Sequence, residues 1–273
     1  MCKVFNVSRS GYYNWLARKP SNRSLENQHI KGLIKAAYAD SKGRYGSPKI
    51  TKELNAQGLK ISRQRVARMM RSDGIRSIIK KKYKVSTTDS NHNLPVAKNH
   101  LNRKFKVNRP GKVWVSDITY IRTNQGWVYL TIIMDLYDRK IIGWALSKNM
   151  STIDTVIAAW RMALINRPIS SELTFHSDRG VQYASIEFRE ALGKSVRQSM
   201  SRKGNCWDNA VAESFFKIIK SEMIYHNKYI STQQAKIEVF EFIEIWYNRK
   251  RRHSYLGYLT PDEYGKKKLL IAA

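Results

Sequence analysis

The sequence predicts an α/β protein in which a mixed domain follows a helical N-terminal region. Two observations predict this fold class: strand-like and helical segments alternate within residues 111–228, and helix caps with helical periodicity recur within residues 1–76. Hydrophobic residues make up 42% of the 273 residues and aromatic residues 11%, which is typical of a chain with a buried core. This composition excludes a disordered basic tail.

Three strand-like segments open the mixed domain. They span residues 113–121, 127–137 and 140–147, and residues 124–126 and 138–139 have the composition of turns. Because the connections are this short, the three segments predict an antiparallel meander.

Helices and two further strands follow the meander. We expect a helix over residues 153–166, a strand over 173–176, a helix over 186–192, a strand over 196–200 and a long helix over 208–225. The resulting order, βββαβαβα, is the ribonuclease H pattern. The crossover helix makes the first and fourth strands parallel neighbours.

The chain is strongly basic. It holds 50 Lys and Arg residues against 21 Asp and Glu residues, a net charge of +29, and residues 1–100 carry +17 of it. Such an excess indicates a polyanionic partner. The longest apolar run, residues 127–134, is too short to span a bilayer, and no basic helix has a wide apolar face. Nucleic acid is therefore favoured over a membrane as the partner.

Two further features concern the compartment. The N-terminal residues lack the apolar stretch and cleavage site of a signal peptide, so we expect a cytoplasmic protein. The two cysteines, Cys2 and Cys206, form neither a disulfide framework nor a zinc site.

Residues 44–76 predict a helix-turn-helix. Ser47 is the expected N-cap of a first helix that Gly58 ends, and Ser62 is the expected N-cap of a second helix that Gly74 ends. A generic helical hairpin is the alternative interpretation, since its apolar pattern would be the same.

The second of these helices combines an apolar stripe of Val66, Met69 and Met70 with a cationic surface. The cationic residues are Arg63, Arg65, Arg68 and Arg71. A cationic helix after a short turn is the element with which a helix-turn-helix contacts DNA.

The domain organisation follows from these segments. We predict a helical DNA-binding region over residues 1–76, a basic linker over 77–110, a ribonuclease H-like core over 111–228 and a helical, basic C-terminal extension over 229–273.

Three acidic residues are candidates for a metal site. Asp117 lies within the first, largely apolar strand, where a carboxylate is costly unless it is paired or binds a metal. Asp178 follows the fourth strand, and Glu213 lies on the long helix in a polar stripe with Asn209, Lys217 and Lys220. Three carboxylates from three elements can thus converge to bind Mg²⁺ or Mn²⁺.

Other polar residues of this region have structural interpretations. We expect Asp208 to be an N-cap or first-turn residue and Asp135 to pair with a nearby basic group. His176 is expected to fill the sheet, with an acid/base role as the alternative. Glu222 is expected to be exposed, and Trp246 to pack the final helix rather than to stack on bases.

Four motifs carry a resemblance to a known family. Residues 114–120 (WVSDITY), 176–183 (HSDRGVQY), 198–216 and 246–261 resemble bacterial DDE insertion-sequence transposases with a retroviral-integrase-like catalytic core, and the N-terminal region is similar too. The spacing between Asp178 and Glu213 is one residue shorter than is usual in that family. We expect the loop at residues 193–195 to absorb this difference.

The resemblance implies an enzyme that nicks the ends of an insertion sequence and joins the freed 3′-OH to DNA. It implies that Asp117, Asp178 and Glu213 are catalytic and hold two Mg²⁺ or Mn²⁺ ions. It further implies double-stranded DNA partners, namely terminal inverted repeats and target DNA, and a homo-oligomer on that DNA. The chain resembles the product of the second of two reading frames, with the upstream product as a fusion or partner.

The residues predicted to contact DNA are basic or amide side chains from all four regions. They are Arg63, Arg65, Arg68, Arg71, Lys80, Lys81, Lys82, Arg202, Lys203, Asn209, Lys217, Lys220, Arg249, Arg251 and Arg252. Two alternatives remain at this point: a ribonuclease H-like nuclease or resolvase that stops at hydrolysis, and a DNA-binding regulator that performs no chemistry.

Overall fold

The computed structural model describes residues 2–79, 94–169 and 172–272. The chain divides after Ile78 into two compact units, which we call the N-terminal unit and the sheet domain. Lys80, Lys81 and Lys82, which were predicted to contact DNA, lie outside the described residues. Within the described ranges, no helix is both long enough and apolar enough to cross a membrane.

The N-terminal unit is helical. Its helices are α1 (Arg9–Leu16), α2 (Asn22–Asp40), α3 (Ser47–Ala56) and α4 (Arg63–Ser72). Apolar side chains spaced three or four residues apart on α2, α3 and α4 form its core: Ile30, Ile34, Ile50, Leu54, Val66, Met69 and Met70. This arrangement confirms the two helices expected between residues 47 and 74.

The caps of α3 and α4 differ in how well the sequence predicts them. The Ser62 hydroxyl accepts a hydrogen bond from the Arg65 N–H at 3.3 Å and caps α4, as expected. Gly58 has a φ of +92°, the left-handed conformation expected of a helix-ending glycine. The expectation for Ser47 is wrong, because α3 begins at Ser47 itself and Gly46 is its N-cap.

A five-stranded sheet forms the centre of the sheet domain. Its strands are β1 (Val113–Thr123), β2 (Gly126–Asp135), β3 (Ile141–Ser147), β4 (Thr174–Ser177) and β5 (Arg197–Met200), and their order is β3-β2-β1-β4-β5. The first three strands pair antiparallel, whereas β1 pairs with β4, and β4 with β5, in parallel. The predicted meander and the parallel pairing of the first and fourth strands are confirmed.

Helices flank this sheet. They are α5 (Ala158–Asn166, preceded by a π-helical turn at Ile153–Ile157), α6 (Val181–Ala184), α7 (Ile186–Leu192), α8 (Ala210–Glu222), α9 (Thr232–Phe240, continued by a π-helical segment at Glu241–Lys250) and α10 (Pro261–Ala272). Short 3₁₀ turns occur at Cys206–Asn209, Ile224–His226 and Ser254–Leu256.

Helices α5 and α7 cover one face of the sheet over an aromatic core. Trp114 of β1 and Phe175 of β4 pack edge-on against Trp160 of α5, with ring centroids 5.4 and 5.5 Å apart. A Cβ atom at Gly143 of β3 would lie 2.2 Å from the Ala159 carbonyl oxygen. Glycine at this position therefore allows α5 to approach β3.

Buried polar contacts attach the C-terminal part of the chain to β3 and α8. The Asn248 side chain accepts a hydrogen bond from the Ile141 N–H at 3.0 Å and donates one to the Ile141 carbonyl at 2.9 Å. Glu222 of α8 is buried, and its carboxylate binds Arg251 at 2.8 Å and Trp246 Nε1 at 3.1 Å. The packing role of Trp246 is confirmed.

Two predictions about this cluster are wrong. Glu222 was expected to be exposed, and Arg251 was expected to contact DNA. Both side chains are buried, and burial is tolerated because the carboxylate and the guanidinium satisfy one another. Arg251 therefore leaves the set of DNA-contacting residues.

Residues 94–110, which fall within the predicted basic linker, pack on the sheet domain. Leu101 is buried, and its N–H donates to the Ser199 hydroxyl at 3.2 Å. Arg139, itself buried, donates to the Phe105 carbonyl at 3.0 Å. Basic composition alone suggested a linker and did not reveal these contacts.

Candidate active site

Asp117 and Asp178 lie at equivalent levels of two adjacent parallel strands. Val115 of β1 pairs with His176 of β4, and each aspartate lies two residues beyond its member of that pair. Asp178 lies in the loop directly after β4, and it is close enough to Asp117 for its charge to act on that carboxyl group. The pairing that the sequence predicted brings these two carboxylates together.

The environment of Asp117 disfavours the charged form of its carboxyl group. Burial raises its pKa well above the usual range, and the charges of Asp178 and then Glu213 raise it further. A hydrogen bond from the Ile118 N–H at 2.9 Å and the charge of Lys220 act in the opposite direction. Burial and neighbouring carboxylates disfavour the ionised form of this group, and a bound cation would stabilise that form.

The loop after β4 fixes the position of Asp178. Its Oδ1 accepts a hydrogen bond from the Gly180 N–H at 3.0 Å. A Cβ atom on Gly180 would lie 3.1 Å from the same oxygen, so glycine permits this close approach. The Arg179 guanidinium donates to the Ser201 carbonyl at 2.7 Å and attaches the loop to the end of β5.

Glu213 lies in the first turn of α8 and is half-buried. Its carboxylate has no hydrogen bond or ion pair among the described residues, yet its charge acts on Asp117. Among all the residues that the structure describes, no three His, Cys, Asp or Glu side chains are close enough to share a metal ion. The two aspartates thus lie close together, and Glu213 lies near them but too far away to share a metal ion with both.

Asn209 links the start of α8 to β1. Its Nδ2 donates to the Ser116 carbonyl at 2.9 Å, one residue before Asp117, and the side chain is buried. Its Oδ1 is buried without a hydrogen-bond partner among the described residues. Because Glu213 follows Asn209 by one helical turn, this bond sets the height of Glu213 relative to Asp117. The predicted phosphate contact by Asn209 is replaced by this internal role.

Asp208 is the centre of a separate ionic cluster. Its carboxylate accepts hydrogen bonds from the Arg202 guanidinium at 2.8 and 2.9 Å, from Arg103 Nε at 2.9 Å and from Asn99 Nδ2 at 2.9 Å. The Arg202 contact is the largest cause that holds the pKa of Asp208 far below its usual range. Asp208 lies in the first turn of the 3₁₀ segment Cys206–Asn209, which confirms one of the two expected roles, whereas the N-cap of this turn is Asn205. Asp208 has no oxygen left for a metal ion.

His176 is a structural residue. It is fully buried, its Nδ1 lies 2.9 Å from the Ser199 hydroxyl, and its Nε2 lies 3.3 Å from the Ser201 hydroxyl. Burial lowers its pKa to about 4, so the ring is neutral at neutral pH. The expectation that it fills the sheet is confirmed.

Asp135 also has the structural role that was expected of it. It is fully buried at the end of β2 and binds Arg167 at 2.7 Å. Its carboxylate also accepts hydrogen bonds from the Gly111 N–H at 2.7 Å and from the Trp114 indole at 3.2 Å.

The basic residues predicted to contact DNA fall into two groups. Those with exposed side chains are Arg63, Arg68, Arg71, Lys203, Lys217 and Arg249. Those held by other side chains or by backbone are Arg65, which binds Glu26 and Asn27, Arg202, which binds Asp208, and Arg252, which donates to the Tyr258 carbonyl.

Lys220 lies close to the carboxylates. Its ammonium group is half-buried, 5.7 Å from the centroid of the Tyr120 ring, and its charge acts on Asp117. Burial lowers the pKa of Lys220, and the charge of Asp117 opposes that shift.

Comparisons with known proteins agree with this architecture. Two models described as "Integrase core domain" match residues 107–206 and 194–261, and one described as "HTH-like domain" matches residues 25–83. The chain is 42% identical over 274 residues to the "Insertion element IS600 uncharacterized 31 kDa protein" of Shigella sonnei, with 100% of both chains covered. It is 40% identical over 272 residues to "Transposase InsF for insertion sequence IS3A" of Escherichia coli K12, covering 98% of this chain and 94% of that one. The chain belongs to the IS3 family of insertion-sequence transposases.

The transposase also resembles solved structures at low sequence identity. A chain of a simian T-cell lymphotropic virus intasome aligns with a TM-score of 0.49 at 14% identity, covering 85% of this chain and 74% of that chain. The HTLV-2 integrase catalytic core domain in complex with magnesium aligns with a TM-score of 0.44 at 16% identity, covering 57% of this chain and 97% of that chain.

Membership of the family decides between the functions left open by the sequence. The protein is a DNA transposase, a DDE polynucleotidyl transferase with an HTH-like N-terminal domain and an integrase-type, ribonuclease H-like core. The predicted resemblance and fold class are confirmed.

Proposed function

We propose that the transposase nicks the ends of its insertion sequence and joins the freed 3′-OH to DNA, using Asp117, Asp178 and Glu213 as the catalytic metal ligands. One observation carries this assignment: the charges of Asp178 and Glu213 both raise the pKa of the half-buried Asp117. A cluster of carboxylates with a raised pKa is typical of a functional site that binds a cation.

The donor set fits divalent cations. Three carboxylates from β1, the β4–α6 loop and α8 supply the hard oxygen ligands that Mg²⁺ or Mn²⁺ prefers. We propose that they hold two such ions, which when bound supply activation of the attacking oxygen and stabilisation of the leaving 3′ oxygen. The carboxylate of Glu213 has no other partner among the described residues, so it is available to complete this group once a cation attracts it.

The chain's own residues position the reaction. Asn209 sets the height of Glu213 relative to Asp117, and Gly180 holds the Asp178 carboxylate through its N–H. The ammonium groups of Lys217 and Lys220 project from the same helix as Glu213 and would bind the phosphates beside the reacting one. Water as the nucleophile gives the nick, and the 3′-OH as the nucleophile gives strand joining.

The N-terminal unit would supply recognition of the element ends. Arg63, Arg68 and Arg71 are exposed on α4, and a cationic helix after a turn suits the major groove of duplex DNA. We propose terminal inverted repeats and target DNA as the substrates and a homo-oligomer as the form that acts on them. We further propose the upstream reading-frame product as a fusion or partner, and the bacterial nucleoid as the site of action.

The test compares nicking and joining of a duplex that carries the element end. We expect Asp117→Asn, Asp178→Asn and Glu213→Gln to abolish both products at saturating Mg²⁺ and at saturating Mn²⁺, with duplex affinity preserved because the basic surface is unchanged. Glu190→Gln, an exposed carboxylate on α7, is the matched control and should retain activity.

Two outcomes would contradict the proposal. Substantial residual chemistry in one of the three variants would remove that residue from the ligand set. Nicking by the wild type without joining of an added 3′-OH strand would reduce the activity to that of a nuclease.

A further inference from the structure

An open cleft adjoins Asp178 on the opposite face of β1 from the Asp117 side chain. Its volume is about 580 Å³, within the range of sites that bind small organic groups. We call it the aromatic cleft, and its principal lining residues are Ile118, Tyr120, Trp127, Tyr129, Asp178 and Val181.

The strand register creates the wall of the aromatic cleft. Tyr120 of β1 is directly opposite Tyr129 of β2, and Arg122 is directly opposite Trp127. These four side chains and Ile118 therefore share one face of the antiparallel pair. Near Trp114, at the start of β1, helices cover this face and form the hydrophobic core. At the aromatic cleft the same face is open to solvent.

The aromatic rings of the cleft are ordered and accessible. Tyr120 and Trp127 pack edge to face with ring centroids 5.1 Å apart. Trp127 is 47% exposed, a large fraction for an indole in a strand. Such rings hold one another in place and still offer surface on which a flat group can stack.

Cations border this apolar surface. The Arg122 guanidinium lies 5.1 Å from the Trp127 ring, and the Lys220 ammonium lies 5.7 Å from the Tyr120 ring. Aromatic rings bordered by cations match a nucleotide, whose base stacks while its phosphate contacts the charges. A segment of a partner protein could pack on the apolar surface, but its binding would not require the two cations.

We propose that the aromatic cleft binds one unstacked nucleobase of the DNA strand that is cleaved or attacked. Because Asp178 lines the cleft and also belongs to the carboxylate group, a base held there would place its adjoining phosphate beside the catalytic ligands. The inference rests on the proposed function, since it requires the reacting phosphate to lie at Asp178. The base comes from the element end or from the target, and both supply the same chemistry.

A photocrosslinking experiment locates the base without requiring chemistry. The full-length Asp178→Asn variant is incubated with a duplex in which single thymines near the reacting phosphate are replaced by 5-iodouracil, first in the element end and then in a target duplex. We expect one nucleotide position in one of the two duplexes to crosslink to Trp127 or Tyr120. Crosslinks only to residues outside the cleft, or no crosslinks, would overturn the proposal.

A kinetic cycle tests whether Trp127 acts through that base. Trp127→Ala should lower the rate of nicking or joining about tenfold on intact DNA, the scale of one base–aromatic stack. The loss should disappear when the crosslinked nucleotide is made abasic, since the partner of the ring is then missing. Trp127→Phe should restore most of the rate, and Phe240→Ala, which removes an equally exposed ring from α9, should have no effect.

The failures of the two proposals are distinguishable. If Trp127→Ala lowers the reaction rate equally on intact and abasic DNA, the ring has a purely structural role and the proposed base binding is overturned. The carboxylate assignment would stand. Retained nicking in Asp117→Asn would overturn the proposed catalytic group whatever the crosslinks show. Thermal unfolding of Trp127→Ala and Trp127→Phe identifies any loss that comes from misfolding.

Discussion

Asp208 and Asp117 belong to the same domain, yet their surroundings move their pKa values in opposite directions. Arg202 and Arg103 hold the pKa of Asp208 far below the usual range, whereas burial and two carboxylates raise that of Asp117. The same contrast separates the two glutamates of α8, since Glu222 binds Arg251 and Glu213 binds no described side chain. Carboxylates paired with arginine hold this fold together, whereas we propose that Asp117, Asp178 and Glu213 hold a cation.

The largest expected effect is a difference in folding stability between variants of the two glutamates of α8. Glu222→Gln should lower the free energy of unfolding by about 3 kcal/mol, because it leaves the buried Arg251 guanidinium without its carboxylate. Glu213→Gln, on the same helix, should not lower it. Urea denaturation of both variants measures the difference, and equal losses would contradict the division of roles between the two glutamates.

A smaller loss is expected at Asp208. Asp208→Asn should cost about 2 kcal/mol, less than the loss of a fully buried pair because the guanidinium groups of Arg103 and Arg202 reach solvent. Residues 99–105 should then exchange their amide hydrogens faster, since Asn99 and Arg103 attach that segment to Asp208. Unchanged exchange there would show that the segment is held by other contacts.

The smallest expected effect is the pH dependence of the same contact. A carboxylate whose pKa is lowered in the folded state stabilises the protein fully at a pH above its unfolded-state pKa. That contribution is lost as the pH falls towards its folded-state pKa. The stability difference between the wild type and Asp208→Asn should therefore shrink by about 0.7 kcal/mol between pH 7 and pH 3.5, given an unfolded pKa near 3.9. A difference that grows on acidification would have the wrong sign for this ion pair.

The sequence predicted those parts of the molecule that repeat a local pattern. The strands around Asp117 and Asp178 were expected within two residues of their observed ends, because continuous apolar runs bounded by turns are strong signals. The parallel pairing of β1 with β4, and hence the meeting of the two aspartates, follows from the order of elements alone.

The sequence did not predict the ionic clusters. Arg103 is 105 residues from Asp208, and Arg251 is 29 residues from Glu222. Pairs so distant leave no periodic signal, so charge alone suggested that Arg251 contacts DNA and that residues 94–110 are a linker. The aromatic cleft was missed for a similar reason, because Tyr120 and Trp127 meet only through the strand register.

Titration of Mn²⁺ into the DNA-free protein, followed by thermal unfolding, tests the central claim most directly. At ten times the dissociation constant, bound ion should stabilise the wild type by about 1.4 kcal/mol, and Asp117→Asn and Asp178→Asn should abolish that gain. Asp208→Asn should keep it, because Asp208 is neutralised by arginines and has no oxygen to offer. Equal stabilisation of the wild type and Asp117→Asn by Mn²⁺ would contradict the proposal that Asp117, Asp178 and Glu213 form the metal site.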